Sequence, residues 1–129
     1  MSAGETVRAA IVAGLLARAE FAGIDGLRRD TAANALPQAR VETATSGDWS
    51  TKDTPGREVR VVVTIRVARG QSMRLPMMIA AAEAVGTALW GDLGGWHVGS
   101  AVMARSRSFD APDGTKAATV EHRVRILQN

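Results

Sequence analysis

The sequence predicts an α+β fold: a two-layer sandwich in which a mostly antiparallel four-stranded sheet carries two helices on one face, in the order α-β-β-α-β-β. Three observations predict it. Apolar residues recur at helical spacing near residues 7–16 and again at 77–89. They alternate with polar residues at 58–67 and 118–126. Within each pair of strands only loop and turn formers intervene, which favours antiparallel pairing and leaves the helices to one face.

The first helix opens with Ser2 and Glu5, placed as a capping box. Val7, Ile11 and Leu15 follow at four-residue spacing, with Val12 and Leu16 beside them, so the helix is expected to run to about residue 21, where Gly23 and Gly26 break it. The stretch to Asn34 reads as loop or a short helical turn. A first strand is expected over 36–45, with Pro37 at its start, followed by a loop over 46–56 rich in turn formers. The clearest strand comes next. Val59, Val61, Val63, Ile65 and Val67 share one face, and Glu58, Arg60, Thr64 and Arg66 the other, with Val62 the apolar exception. Burying the valine face is worth on the order of 10 kcal/mol gross, at ~1.5–3 kcal/mol per side chain.

Ser72 is placed to cap a second helix over 72–90, with Pro76 tolerable only near its start. Met77, Met78, Ile79, Ala80, Ala81, Ala82, Ala84, Val85, Ala88 and Leu89 leave it almost no charged face. Such a helix is expected to be covered on more than one side, with a neighbouring subunit one cover. A glycine loop at Gly91, Gly94 and Gly95 leads to a third strand over 96–109, with Val98, Val102 and Ala104 on one face. The turn at 111–114 leads to the fourth strand over 115–127. There Ala118, Val120, Val124 and Ile126 face in, together with His122, while Thr119, Glu121, Arg123 and Arg125 face out.

The chain has 129 residues, which suits one domain over 1–129, and 46% are hydrophobic, a globular composition. It contains no cysteine, which excludes disulfides and thiolate metal sites. The apolar run from Ala9 to Ala17 lacks a basic leader, because Glu5 offsets Arg8, so a retained helix is expected and not a signal peptide. The net charge is +3, and Lys52 and Lys116 are the only lysines. The arginines fit either codon usage or phosphate contact.

Chemistry is sparse. His97 and His122 are the only histidines, and neither has metal-ligand spacing to a second ligand. No nucleophile elbow, phosphate loop or dinucleotide fingerprint is present. The loop Gly91-Asp92-Leu93-Gly94-Gly95 follows a helix, the reverse of a phosphate cradle. Asp25, Asp30, Asp48 and Asp53 fall in expected loops without a fixed separation. The expectation is no enzyme, no cofactor and no metal. Interaction residues stand out instead. Trp49 sits in a polar loop as a candidate interface anchor, its alternative being a lid on the core. Trp90 and Trp96 are expected in the core. Arg105 and Arg107 on one strand and Arg123 and Arg125 on the next make a basic ladder, or else a solvated face paired with Glu58 and Glu121.

The chain resembles the tail-terminator, or tail-completion, proteins of long non-contractile phage tails, including those of prophages and gene transfer agents. The likeness rests on Ala35-Leu36-Pro37, Asp48-Trp49-Ser50-Thr51-Lys52, the alternating valine strand, the alanine-rich helix at 79–89, and the 110–114 turn before Arg123-Val124-Arg125. Gln38 and Ala68 stand where the family often has aromatics. The resemblance implies a ring, typically a hexamer, that caps the finished tail tube, stops its polymerisation and meets the head connector or stopper. DNA passes through the ring without sequence-specific binding, and the protein assembles in the host cytoplasm before residing in the tail neck of the particle. On that reading Asp48, Trp49, Ser50, Thr51, Lys52, Met77 and Met78 contact the tube or a neighbouring subunit, and Arg105, Arg107, Arg123 and Arg125 face DNA or an acidic partner. The alternatives are another neck protein, such as a stopper or adaptor, and a small nucleic-acid-binding module.

Overall fold

The computed structural model describes residues 1–24, 26–27 and 35–129, so the expectations for Asp25, Asp30 and the stretch to Asn34 lie outside the described residues. The elements are α1 (Ala3–Leu16), β1 (Gln38–Asp48), β2 (Gly56–Val67), α2 (Arg74–Thr87), β3 (Trp96–Asp110) and β4 (Lys116–Gln128), with single 3-10 turns at Ala19–Phe21 and Arg69–Gln71. The order is the α-β-β-α-β-β expected. The strands form one antiparallel sheet in the spatial order β1-β2-β4-β3. Two hairpins thus meet through β2 and β4, and α2 carries the chain from the middle of the sheet to its far edge.

Helix α1 starts where Ser2 Oγ accepts the Glu5 N–H at 3.2 Å. Val7, Ile11 and Leu15 are buried to 1% or less. The helix stops at Leu16, short of the expected residue 21, because Arg18 turns extended (φ −95°, ψ 137°) and lets Phe21 fold into the core. On the sheet's inner face Val59, Val61, Val63 and Ile65 of β2 meet Val120, Val124 and Ile126 of β4, all at 1% exposure or less. These residues and the inner faces of both helices form one core.

Three sequence expectations need correcting here. Strand β1 begins later and runs three residues past the expected 45, because Ser46, Gly47 and Asp48 pair with Val59, Glu58 and Arg57. The long, regular β2 supplies a ladder that outweighs their turn preference. Helix α2 begins at Arg74, one turn after a 3-10 turn closed by Gln71 Oε1 accepting the Ala68 N–H, so Ser72 caps nothing with its side chain. Pro76 sits in the first turn, where a missing N–H costs no helical bond. In β3 the expected face of Val98, Val102 and Ala104 does not exist. Gly99 and Ala104 are unpaired extra residues, and each bulge flips the alternation. Val98, Ala101 and Met103 therefore pair with the inner residues Ile126, Val124 and His122, whereas Val102 pairs with Arg123 on the outer face.

Two glycines allow close packing of α2. Gly14 lets α1 cross it, since a Cβ there would come within 2.6 Å of Val85 Cγ1. Gly86 lies flat on the His122 ring, where a Cβ would be 2.2 Å from ring atoms.

Candidate interaction surfaces

The expected loop at 46–56 is in fact a compact hairpin tip of residues 49–55 between β1 and β2. Asp48 Oδ1 accepts from Ser50 Oγ at 2.6 Å, Ser50 Oγ in turn accepts the Gly56 N–H at 3.0 Å, and Thr51 N–H reaches Thr54 O at 2.8 Å. Asp48, Ser50 and Thr51 thereby build the tip itself, and Lys52 stands exposed on it. Trp49 is half-buried, but not on the core. Its indole lies across the outer face of the sheet, 5.2 Å from the Arg125 guanidinium and at van der Waals distance (3.4 Å) from where a Cβ on Gly99 would stand. The bulge that misplaced the β3 faces thus also supplies the bare backbone on which Trp49 rests.

The outer face has no helix on it. Its arginines are Arg40, Arg60, Arg66, Arg105, Arg107, Arg123 and Arg125, against the carboxylates Glu42, Glu58 and Glu121. That excess of four positive charges is larger than the chain's net +3, so the rest of the molecule is slightly acidic. The four ladder arginines divide into two kinds. Arg125 bonds Glu58 Oε1 at 2.9 Å and Arg123 approaches the same oxygen at 3.8 Å, while Arg60 pairs with Glu121 at 2.9 Å. The hydrogen bond from Arg125, with the charges of Arg123 and Arg60, holds the Glu58 carboxyl below the usual carboxylate range. Arg105 and Arg107, by contrast, are exposed and have no ion-pair partner among the described residues; Arg107 lies 5.8 Å over the Phe109 ring. The paired half is the solvated charge ladder expected as the alternative, and only the β3 half is free for a partner.

Helix α2 buries one face only, through Leu75, Met78, Ala81, Ala82, Val85 and Gly86. Met77 is 61% exposed, as an interface residue must be, but Met78 is 1% exposed and belongs to the core; one residue's rotation around the helix separates the two. Met73, at 87%, is an exposed methionine near Met77 that sequence reasoning missed. Trp90 also departs from the core expectation: it is 83% exposed, because Leu89 takes the inward position before Gly91 (φ +75°) turns the chain. Trp96 packs against the core as expected.

Both histidines take part in local structure. His97 Nδ1 lies 2.9 Å from Asn129 Oδ1, and Asn129 Nδ2 donates to Asp92 Oδ1, an arrangement that ties down the glycine loop. His122 is fully buried under Gly86; its Nε2–H donates to Glu83 O at 3.1 Å and its Nδ1 has no partner. Burial, which favours the neutral ring, pushes its pKa down, opposed by that hydrogen bond and by the Glu83 charge. Among the described residues no group of three or more His, Asp or Glu side chains is placed to hold a metal ion. No helix among them is long and apolar enough to cross a membrane.

Fold and surfaces together define a small α+β protein with exposed apolar side chains at both ends of α2 and two arginines on β3 that form no ion pair among the described residues. No family model matches the chain, and no curated protein matches it. Among solved structures, it superposes on a chain in the virion of a native gene transfer agent particle with a TM-score of 0.67 and 19% identity, over 98% of this chain and 99% of that one. The two share a fold from end to end.

Proposed function

We propose that this chain is a structural protein of a phage-like virion and, within it, the terminator that closes the tail tube. The observation that carries the reading is the end-to-end likeness to a chain of a gene transfer agent virion, which agrees with the residue pattern that resembles tail terminators. The surfaces suit the role. A closed ring of identical subunits needs two different complementary patches on each. The free end of α2 with Met73 and Met77, and the Trp90 loop beyond its other end, are such a pair, about 20–25 Å apart at ~1.5 Å per helical residue. The outer face, with Arg105 and Arg107 unpaired, is left for an acidic partner or for DNA in transit. The tube protein and the head connector or stopper are the remaining partners.

Polymerising the cognate tube protein with and without the purified chain tests this. A terminator leaves tubes that stop growing and carry a ring at one end. Tubes that grow unchecked at a saturating dose would sink the reading and favour a stopper or adaptor.

A further inference from the structure

We propose that the open edge of β3 takes up an extended segment of a partner protein as an added strand, one whose side chains alternate between apolar and acidic. The inference is independent of the terminator reading, since it rests on the edge itself.

Strand β3 pairs only with β4. The glycine loop covers its beginning, where Leu93 N–H bonds Trp96 O at 2.7 Å and Val98 N–H bonds Gly91 O at 2.9 Å. The bulges at Gly99 and Ala104 then distort the middle, a common way of blunting an edge. From Arg105 to Asp110 the pairing with β4 is regular again, and no described residue bonds the other edge. This leaves about 20 Å of open backbone at ~3.4 Å per residue.

The space beside that run is shaped for side chains. Helix α2 and the inner side of β3 enclose an open groove of about 840 Å³, lined by Met73, Pro76, Ile79 and Ala80 above, with Glu83 at its margin, and by Ser108 and the Asp110–Lys116 ion pair below. A strand added to the edge would send every second side chain into this largely apolar groove. The intervening side chains would lie on the outer face beside Arg105 and Arg107, which form no ion pair among the described residues: Glu121 stands opposite Arg105 but is taken by Arg60, and Thr119 stands opposite Arg107. Directly neighbouring side chains in a sheet lie ~5 Å apart, so carboxylates fit there and cations do not. A second copy fits poorly. It has two edge strands to offer: β1, where Ala39 and Val41 are already 0% and 2% exposed in their own core and Arg40 would stand beside Arg105 and Arg107, and β3 itself, which would bring the Arg105 and Arg107 of both copies together.

The test is fluorescence anisotropy of a labelled peptide of alternating isoleucine and glutamate, about eight residues long, titrated with the full chain. Binding is expected, about tenfold or more weaker for the Arg105→Glu/Arg107→Glu double variant, for Ala80→Glu, and for an isoleucine–lysine peptide. All the substituted positions are exposed, and circular dichroism checks that the variants fold. Hydrogen exchange should slow at residues 105–110 when the peptide binds. No binding, equal binding of the lysine or a backbone N-methylated peptide, or protection elsewhere overturns the proposal. So does self-association abolished by Ala80→Glu, which would assign the edge to a second copy.

Discussion

The two faces of the sheet are made by the same four strands, yet they are organised by different forces. On the inner face Val59, Val61, Val63, Ile65, Val120, Val124 and Ile126 are excluded from water, and burial alone decides which way each strand must face. On the outer face Glu58 is shared by two arginines, Glu121 takes a third, and Trp49 lies over one of them. Exposed ion pairs of this kind contribute little to stability. The inner face therefore holds the protein together, and the outer face and the sheet's free edge are where it can be changed without unfolding it.

Substitutions sharpen that contrast, and their expected effects fall in order. Ile65→Ala on the inner face should cost about 2–5 kcal/mol of unfolding free energy in urea titrations, through lost burial and the cavity left behind. Gly86→Ala should cost about 1–3 kcal/mol, because the new methyl has to displace the His122 ring or α2. A smaller effect on the same contact comes from pH. His122 has its folded pKa pushed below the ordinary 6.5, so the unfolded chain takes up a proton first as the solution is acidified. The stability due to its neutral ring is fully present above 6.5 and falls as the pH drops towards the folded pKa. Thermal melts from pH 7.5 to 5 should show this slope, and His122→Leu should remove it. Trp49→Ala should cost about 1 kcal/mol, from lost cation–π and partial burial, while leaving the sheet intact. A loss of several kcal/mol would make Trp49 a core residue and break the division between the faces. Arg105→Glu/Arg107→Glu should move stability by less than about 0.5 kcal/mol and alter only association.

What could be read in the sequence follows the same division. Strands β2 and β4 alternate without interruption, so every facing of theirs was legible, His122 included. Strand β3 was legible as a strand but not in its faces, because two single-residue bulges shift the period: Gly99 is a residue that often marks a bulge, but Ala104 carries no such mark. The apolar character of α2 was plain, but composition cannot separate Met77 from Met78; only the helix's rotation against the sheet does, and Gly86 on His122 fixes it. The arginine ladder was visible as a set of residues. Its division into a neutralised half on β4 and a free half on β3 depends on Glu58 standing across from Arg125, which only the register of β2 on β4 supplies. The groove beside β3 left no sequence signal, since it arises from where α2 crosses the sheet edge.

The most direct test of the account is electron microscopy of particles from a host that lacks this gene. Tail tubes of uncontrolled length, unattached to heads, are the predicted result. Intact particles with tails of normal length would contradict it.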